Sequence, residues 1–260
     1  MFNHTNRKNM IRKIFSFMVV MLLALTAAYA GGGKKDFAII YIGNSITYGA
    51  IHEQRDVTAP PVYTSQILAK KYKANVIWRN CGWSGATTYD FLPSHKRYFP
   101  RVEKAIKEIQ AETDAPIVFS IMLGTNDSAS KGPTGCPVSN ENYKNNLITI
   151  MEALKKLAPG AKFVFQRPIW YSPNTYNGAE YLLKGLNRLN GYTPVLEELA
   201  AERTDAMMGD KDAYAYFEKN YEKYCYHEPG YAGTFFLHPN PKGAKKLAKY
   251  WAEGIIDALD

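Results

Sequence analysis

Two hydrophobic periods take turns along the chain. Short, largely apolar segments at Phe37–Ile42, Asn75–Arg79, Ile117–Leu123 and Lys162–Gln166 read as strands, each giving way to glycine or polar residues. The run from Ile117 is nearly all apolar, the pattern of a strand covered on both faces. Between these segments the apolar residues recur every three or four positions, the helical period. Such stretches are Pro61–Tyr72, Val102–Ile109, Asn142–Leu157 and Ala179–Arg203, the last with expected interruptions near Gly191 and Pro194. Residues 205–236 carry no clear period, apart from a helical candidate at Ala213–Tyr224. Asn240 is a good N-cap with Pro241 at the first helical position; Ala244, Leu247, Ala248, Trp251 and Ile255 then mark a last amphipathic helix. Strand and helix in alternation predict an α/β sandwich around a mostly parallel sheet, in one domain over residues 37–260.

Composition narrows the class. The 260 residues are 46% hydrophobic and 22% charged, the balance of a folded globular chain. The net charge of +8 is concentrated at the start. Arg7, Lys8, Arg12 and Lys13 precede an apolar run, Ile14–Leu25, and the small-residue pattern Ala28-Tyr29-Ala30. This is the layout of a secretory signal peptide over residues 1–30. The run is shorter than the roughly 20 residues that span a bilayer, so no integral membrane segment is expected after cleavage. Residues 31–36, Gly-Gly-Gly-Lys-Lys-Asp, read as a flexible leader. Without four of its 32 Lys and Arg the chain keeps 28 against 24 Asp and Glu, a net +4. The remaining cations are scattered, so no nucleic-acid partner is expected. Export permits disulfides, but Cys81, Cys136 and Cys225 leave at least one thiol free.

Open α/β sheets bind ligands beyond the carboxyl ends of their strands. Three polar motifs sit at such ends: Gly43-Asn44-Ser45, Ser84-Gly85-Ala86-Thr87-Thr88 and Gly124-Thr125-Asn126-Asp127. A fourth, His238-Pro239-Asn240-Pro241, opens the last helix. Singly, each reads equally well as a turn or a cap. In this order they form a constellation that resembles the SGNH/GDSL hydrolase family over nearly the whole chain after residue 30. The resemblance implies a flavodoxin-like three-layer α/β/α sandwich. It implies Ser45 as nucleophile and His238 as base, with Ser45 N–H, Gly85 N–H and the Asn126 amide as the oxyanion hole.

The chemistry asks for these residue types. A serine hydroxyl is a weak nucleophile until a neighbouring base takes its proton. The tetrahedral intermediate carries negative charge on oxygen, which preorganised N–H donors must meet. No metal or cofactor is required. His52, His95 and His227 share no metal-ligand spacing and read as surface histidines.

Two positions depart from the family pattern. Asn44 stands for its usual Asp, a mild change in a turn. Phe235 stands three residues before His238, where the family has its acid, and Phe cannot orient an imidazole. Three arrangements are open: an acid from elsewhere, with Asp205, Asp210, Asp212 and Glu228 nearest; a Ser-His dyad oriented by a backbone carbonyl; or an inactive site. Glu228 is the acid nearest His238, though His227 is its immediate neighbour.

For substrate, export and a polar loop after the fourth strand point to O-acyl esters, acetyl first, on a carbohydrate. Trp170 and Tyr171 in that loop are either sugar-stacking residues or packing residues. The rivals are a lipase-like esterase for longer acyl chains and a carbohydrate-binding protein without activity. Oligomeric state is open.

Overall fold

The computed structural model describes residues 36–260; the expected signal peptide and most of the leader lie outside the described residues. Five strands form one sheet: β1 (Asp36–Gly43), β2 (Asn75–Asn80), β3 (Ile117–Met122), β4 (Lys162–Phe165) and β5 (Ala206–Met208). Their spatial order is β2-β1-β3-β4-β5 and every pairing is parallel. This is the three-layer α/β/α sandwich expected, with a flavodoxin-like strand order.

Helices cover both faces. Three form one layer: α4 (Phe99–Glu112), α5 (Asn140–Leu157) and α6 (Leu182–Glu202). The other layer holds α3 (Pro60–Tyr72), which follows the single turn α2 (Arg55–Thr58), with α7 (Ala213–Tyr224) and α8 (Pro241–Leu259). Strand periodicity sorts the core between them. Ile40, Ile42, Phe119, Ile121, Phe163 and Phe165 face the first layer. Ile39, Tyr41, Val118, Met122 and Val164 face the second, against Leu68, Phe217, Leu247 and Trp251. Successive residues of a strand point to opposite faces, so an unbroken apolar strand feeds two cores.

Three elements differ from the sequence reading. Pro194 lies inside α6, which runs unbroken. The buried row of Leu186, Leu189, Tyr192, Val195, Leu196 and Leu199 holds the helix to its neighbours across that point, and packing outweighs the missing N–H. β5 is only three residues long and pairs with β4. Residues 228–235, patternless in sequence, form an antiparallel hairpin of β6 (Glu228–Gly230) and β7 (Gly233–Phe235). All three cysteines are free thiols. No helix among the described residues is long and apolar enough to cross a membrane.

Candidate active site

The strand order reverses between β1 and β3, and there the loops after β1, β2 and β3 converge. Ser45 follows β1 as the first residue of the single-turn helix α1 (Ser45–Tyr48). Asn44 caps that turn, its Oδ1 accepting from Ile46 N at 2.9 Å. Asn thus serves the turn that the family closes with Asp. Gly43 is required before it, since a Cβ there would lie 2.0 Å from Thr47 Oγ1.

Ser45 and His238, 193 positions apart, meet at 2.9 Å between Oγ and Nε2. The other ring nitrogen, Nδ1, faces the Glu228 carboxylate at 2.9 and 2.8 Å, and Glu228 Oε1 also accepts from His238 N at 3.1 Å. A carboxylate only accepts, so Nδ1 carries the proton and Nε2 presents its lone pair to the serine hydroxyl. Of the three arrangements left open by the sequence, the geometry matches an acid from elsewhere. Asp205 instead is partly buried and pairs with Arg203 and Lys155. Asp210 accepts from the N–H groups of Asp212 and Ala213 at the start of α7.

Phe235, in the family's acid position, is buried in the core and lies directly opposite Glu228 in the hairpin register. Opposed residues of an antiparallel pair share a face. The carboxylate therefore reaches the histidine from the neighbouring strand. His227 does not compete for it: its Nε2 faces Glu222 O at 3.2 Å.

The histidine segment is held from both sides. Tyr226 N donates to His238 O at 2.9 Å, and Phe236 N donates to Ser172 Oγ at 2.9 Å. His52, expected on the surface, is half-buried and donates from Nε2 to Pro239 O at 2.9 Å. Burial holds the His52 pKa below its usual value.

Gly85 and Asn126 face the same cavity as Ser45 and His238, a space of about 580 Å³. Ser45 N, in the first turn of its helix, has no intrahelical acceptor, and Gly85 N finds none among the described residues. Gly85 takes φ +77°, a left-handed conformation that favours glycine. Asn126 donates from Nδ2 to Ala86 O at 2.9 Å, which leaves its second N–H for the cavity. Its Oδ1 accepts from the Tyr181 hydroxyl at 2.6 Å. Tyr181, unremarked in the sequence, thereby fixes which way the amide points. Asp127 ties the loops together: its Oδ1 accepts from Thr88 N at 2.9 Å and Thr88 Oγ1 at 2.5 Å. Burial pushes its carboxyl pKa up to about 6.

Trp170 and Tyr171 are not at the cavity, which corrects their candidacy as sugar-stacking residues. Trp170 is 6% exposed and packs on Tyr221; Tyr171 is 0% exposed, with its hydroxyl 2.9 Å from Ser128 Oγ. The loop turns inward because these rings complete the core between β4 and the helices around it. Trp83, in the loop after β2, is wedged between Tyr48, Tyr98 and Arg101.

Residues 41–246 match the GDSL-like Lipase/Acylhydrolase family. Among solved structures, a protein described as a GDSL-like lipase from Parabacteroides merdae is similar, with 19% identity and a TM-score of 0.59. The similarity covers 85% of this chain and 96% of that one. An acetylxylan esterase from Geobacillus stearothermophilus is also similar, with 19% identity and a TM-score of 0.58 over 85% of this chain and 95% of that one. At such identities the likeness speaks for the fold. No curated protein sequence matches the chain. The family match spans most of the sequence: the chain belongs to the GDSL-like lipase/acylhydrolase family and is a carboxylic ester hydrolase.

Proposed function

We propose that this hydrolase is an exported serine esterase that removes short acyl groups, acetyl first, from a carbohydrate. The observation that carries the reading is the Ser45–His238–Glu228 relay, opening on one cavity with Gly85 and Asn126. His238 Nε2 takes the hydroxyl proton as Ser45 Oγ bonds to the ester carbonyl carbon. Ser45 N–H, Gly85 N–H and Asn126 Nδ2 donate to the oxyanion. The carbon–oxygen bond to the alcohol breaks, and His238 returns its proton to that alcohol. Water then attacks the acyl-serine with His238 again as base, and the acid leaves as Ser45 regains its proton. Glu228 keeps the ring oriented and offsets the imidazolium charge.

The cavity wall supports a short acyl group and a polar alcohol. Ser84, Gly132, Thr134, Asn177 and Gly178 contribute to it, whereas Ile51 and Leu237 are its large aliphatic side chains. A long acyl chain asks for more apolar wall than that. A site without activity has no use for a complete relay. The basic, then apolar, then small-residue pattern of residues 1–30 supports export.

The test compares turnover of 4-nitrophenyl acetate and octanoate, and acetate release from chemically acetylated oligosaccharides. The expected result is a kcat/KM for the acetate ester above that for the octanoate, together with release of acetate from a glycan. Preference for octanoate would favour the lipase-like alternative, and no release from any glycan would remove the carbohydrate.

A further inference from the structure

The hairpin that supplies Glu228 also carries an exposed aromatic ring. Tyr231, at its tip, is 79% exposed, the most exposed large hydrophobic side chain among the described residues. The tip is nevertheless fixed. Tyr231 N donates to Tyr176 O at 2.8 Å, and its ring lies 5.0 Å from the Tyr176 ring. Asn174 Nδ2 donates to Ala232 O at 3.1 Å and Thr234 O at 2.8 Å, which clamps the other strand. Gly230 allows the hairpin to lie flat, because a Cβ there would stand 2.6 Å from Tyr176 O. A ring held in place yet left in water has already lost much of the freedom that binding would remove.

Beside this ring lies a second depression of about 320 Å³, lined by Asn177, Pro229, Gly230 and Tyr231. Asn177 lines the catalytic cavity as well, so the two spaces adjoin. A flat aromatic face, a proline and an exposed carboxamide, whose Oδ1 accepts from Ala179 N at 3.4 Å and whose Nδ2 has no partner among the described residues, suit a pyranose ring, which has an apolar face and a hydroxylated rim. They do not suit a long acyl chain, which needs an enclosed apolar wall.

We propose that this depression is a glycan subsite in which Tyr231 stacks on a sugar ring next to the acylated residue. The proposal rests on the carbohydrate reading and adds which part of the chain is gripped. Through Glu228, the same hairpin joins the grip to the histidine that it orients.

The test measures kcat/KM for the wild type, Tyr231→Ala and Tyr231→Phe on three substrate types. These are 4-nitrophenyl acetate, chemically acetylated monosaccharides, and the matching trisaccharides in the xylo, cello, manno and galacto series. The expected result is a loss of about tenfold in Tyr231→Ala on a trisaccharide, carried by KM. The monosaccharide and the aryl ester are unchanged, and Tyr231→Phe keeps the wild-type value. No loss on trisaccharides, or an equal loss on all three types, overturns the subsite. A wild type that cleaves the aryl ester but releases no acetate from any glycan overturns the carbohydrate reading, and the subsite with it. That failure is seen in the wild type alone, so the two are distinguishable.

Discussion

Glu228 and Phe235 face each other across a two-stranded antiparallel hairpin, and the carboxylate at His238 comes from the first, not the second. Seven positions separate them in sequence, yet pairing puts them side by side. Replacement of Glu228 by Gln keeps the shape but loses the charge and the preference for a proton on Nδ1. We expect kcat to fall on the order of 10²–10⁴-fold with KM little changed. Glu228→Asp, one methylene shorter, should fall between the two. Steady-state kinetics on 4-nitrophenyl acetate check this; a Glu228→Gln enzyme within threefold of wild type would mean that the carboxylate plays no part.

The Tyr181 hydroxyl holds Asn126 Oδ1, and Asn126 in turn holds Ala86 O beside Gly85. One buried hydroxyl thus sets two of the proposed oxyanion donors. Asn126→Ala should cost about 10²–10³-fold in kcat. Tyr181→Phe should cost about tenfold, through kcat rather than KM, since one neutral hydrogen bond is at stake. The double variant should be no worse than Asn126→Ala alone, because Tyr181 acts through the amide. Additive losses in that cycle would count against the link.

Gly85 has φ +77° and open space where a side chain would begin. Gly85→Ala meets no atom, so its cost is conformational, about 1 kcal/mol of stability. The loop is then biased away from the orientation that presents its N–H, and kcat should drop. Thermal melting and turnover measured on the same sample test the pair of effects; a faster enzyme would be the contrary outcome.

Asp127 is fully buried with its carboxyl raised to about 6, and burial is the main cause. Folding therefore favours the neutral acid. Its contribution to stability is complete below the ordinary Asp range near 4 and is lost as pH rises through about 6. Asn does not titrate, and its oxygen still accepts from Thr88. The melting temperature of Asp127→Asn should therefore gain on the wild type between pH 4 and pH 7. Parallel profiles would show that this carboxyl does not titrate in that window. Asp210, raised to about 6 by burial as well, keeps some slope in both proteins.

Much of this fold is legible in the residues. β3 is apolar enough to be read as a doubly covered strand, and Asn240-Pro241 announces α8. Ser45, Gly85 and Asn126 are legible as candidates because each lies a few residues past the end of a strand, where a parallel sheet gathers its loops. The acid is not. Its distance from His238 in sequence depends on which hairpin strand carries it, and Pro229, Gly230 and Gly233 make that hairpin look like a loop. Tyr181 is hidden for a related reason: nothing local marks a tyrosine that reaches an amide 55 positions away. Trp170 and Tyr171 show the opposite difficulty, since an aromatic pair after a strand has the same sequence whether it faces a cavity or a core.

Every step proposed for this site begins with the Ser45 hydroxyl as the nucleophile of acyl transfer. Turnover of 4-nitrophenyl acetate by the wild type and Ser45→Ala, prepared side by side and matched for folding by circular dichroism, tests that role. The wild type should be active and Ser45→Ala should lose at least about 10⁴-fold. A Ser45→Ala protein that retains activity within tenfold of wild type would rule Ser45 out as the nucleophile.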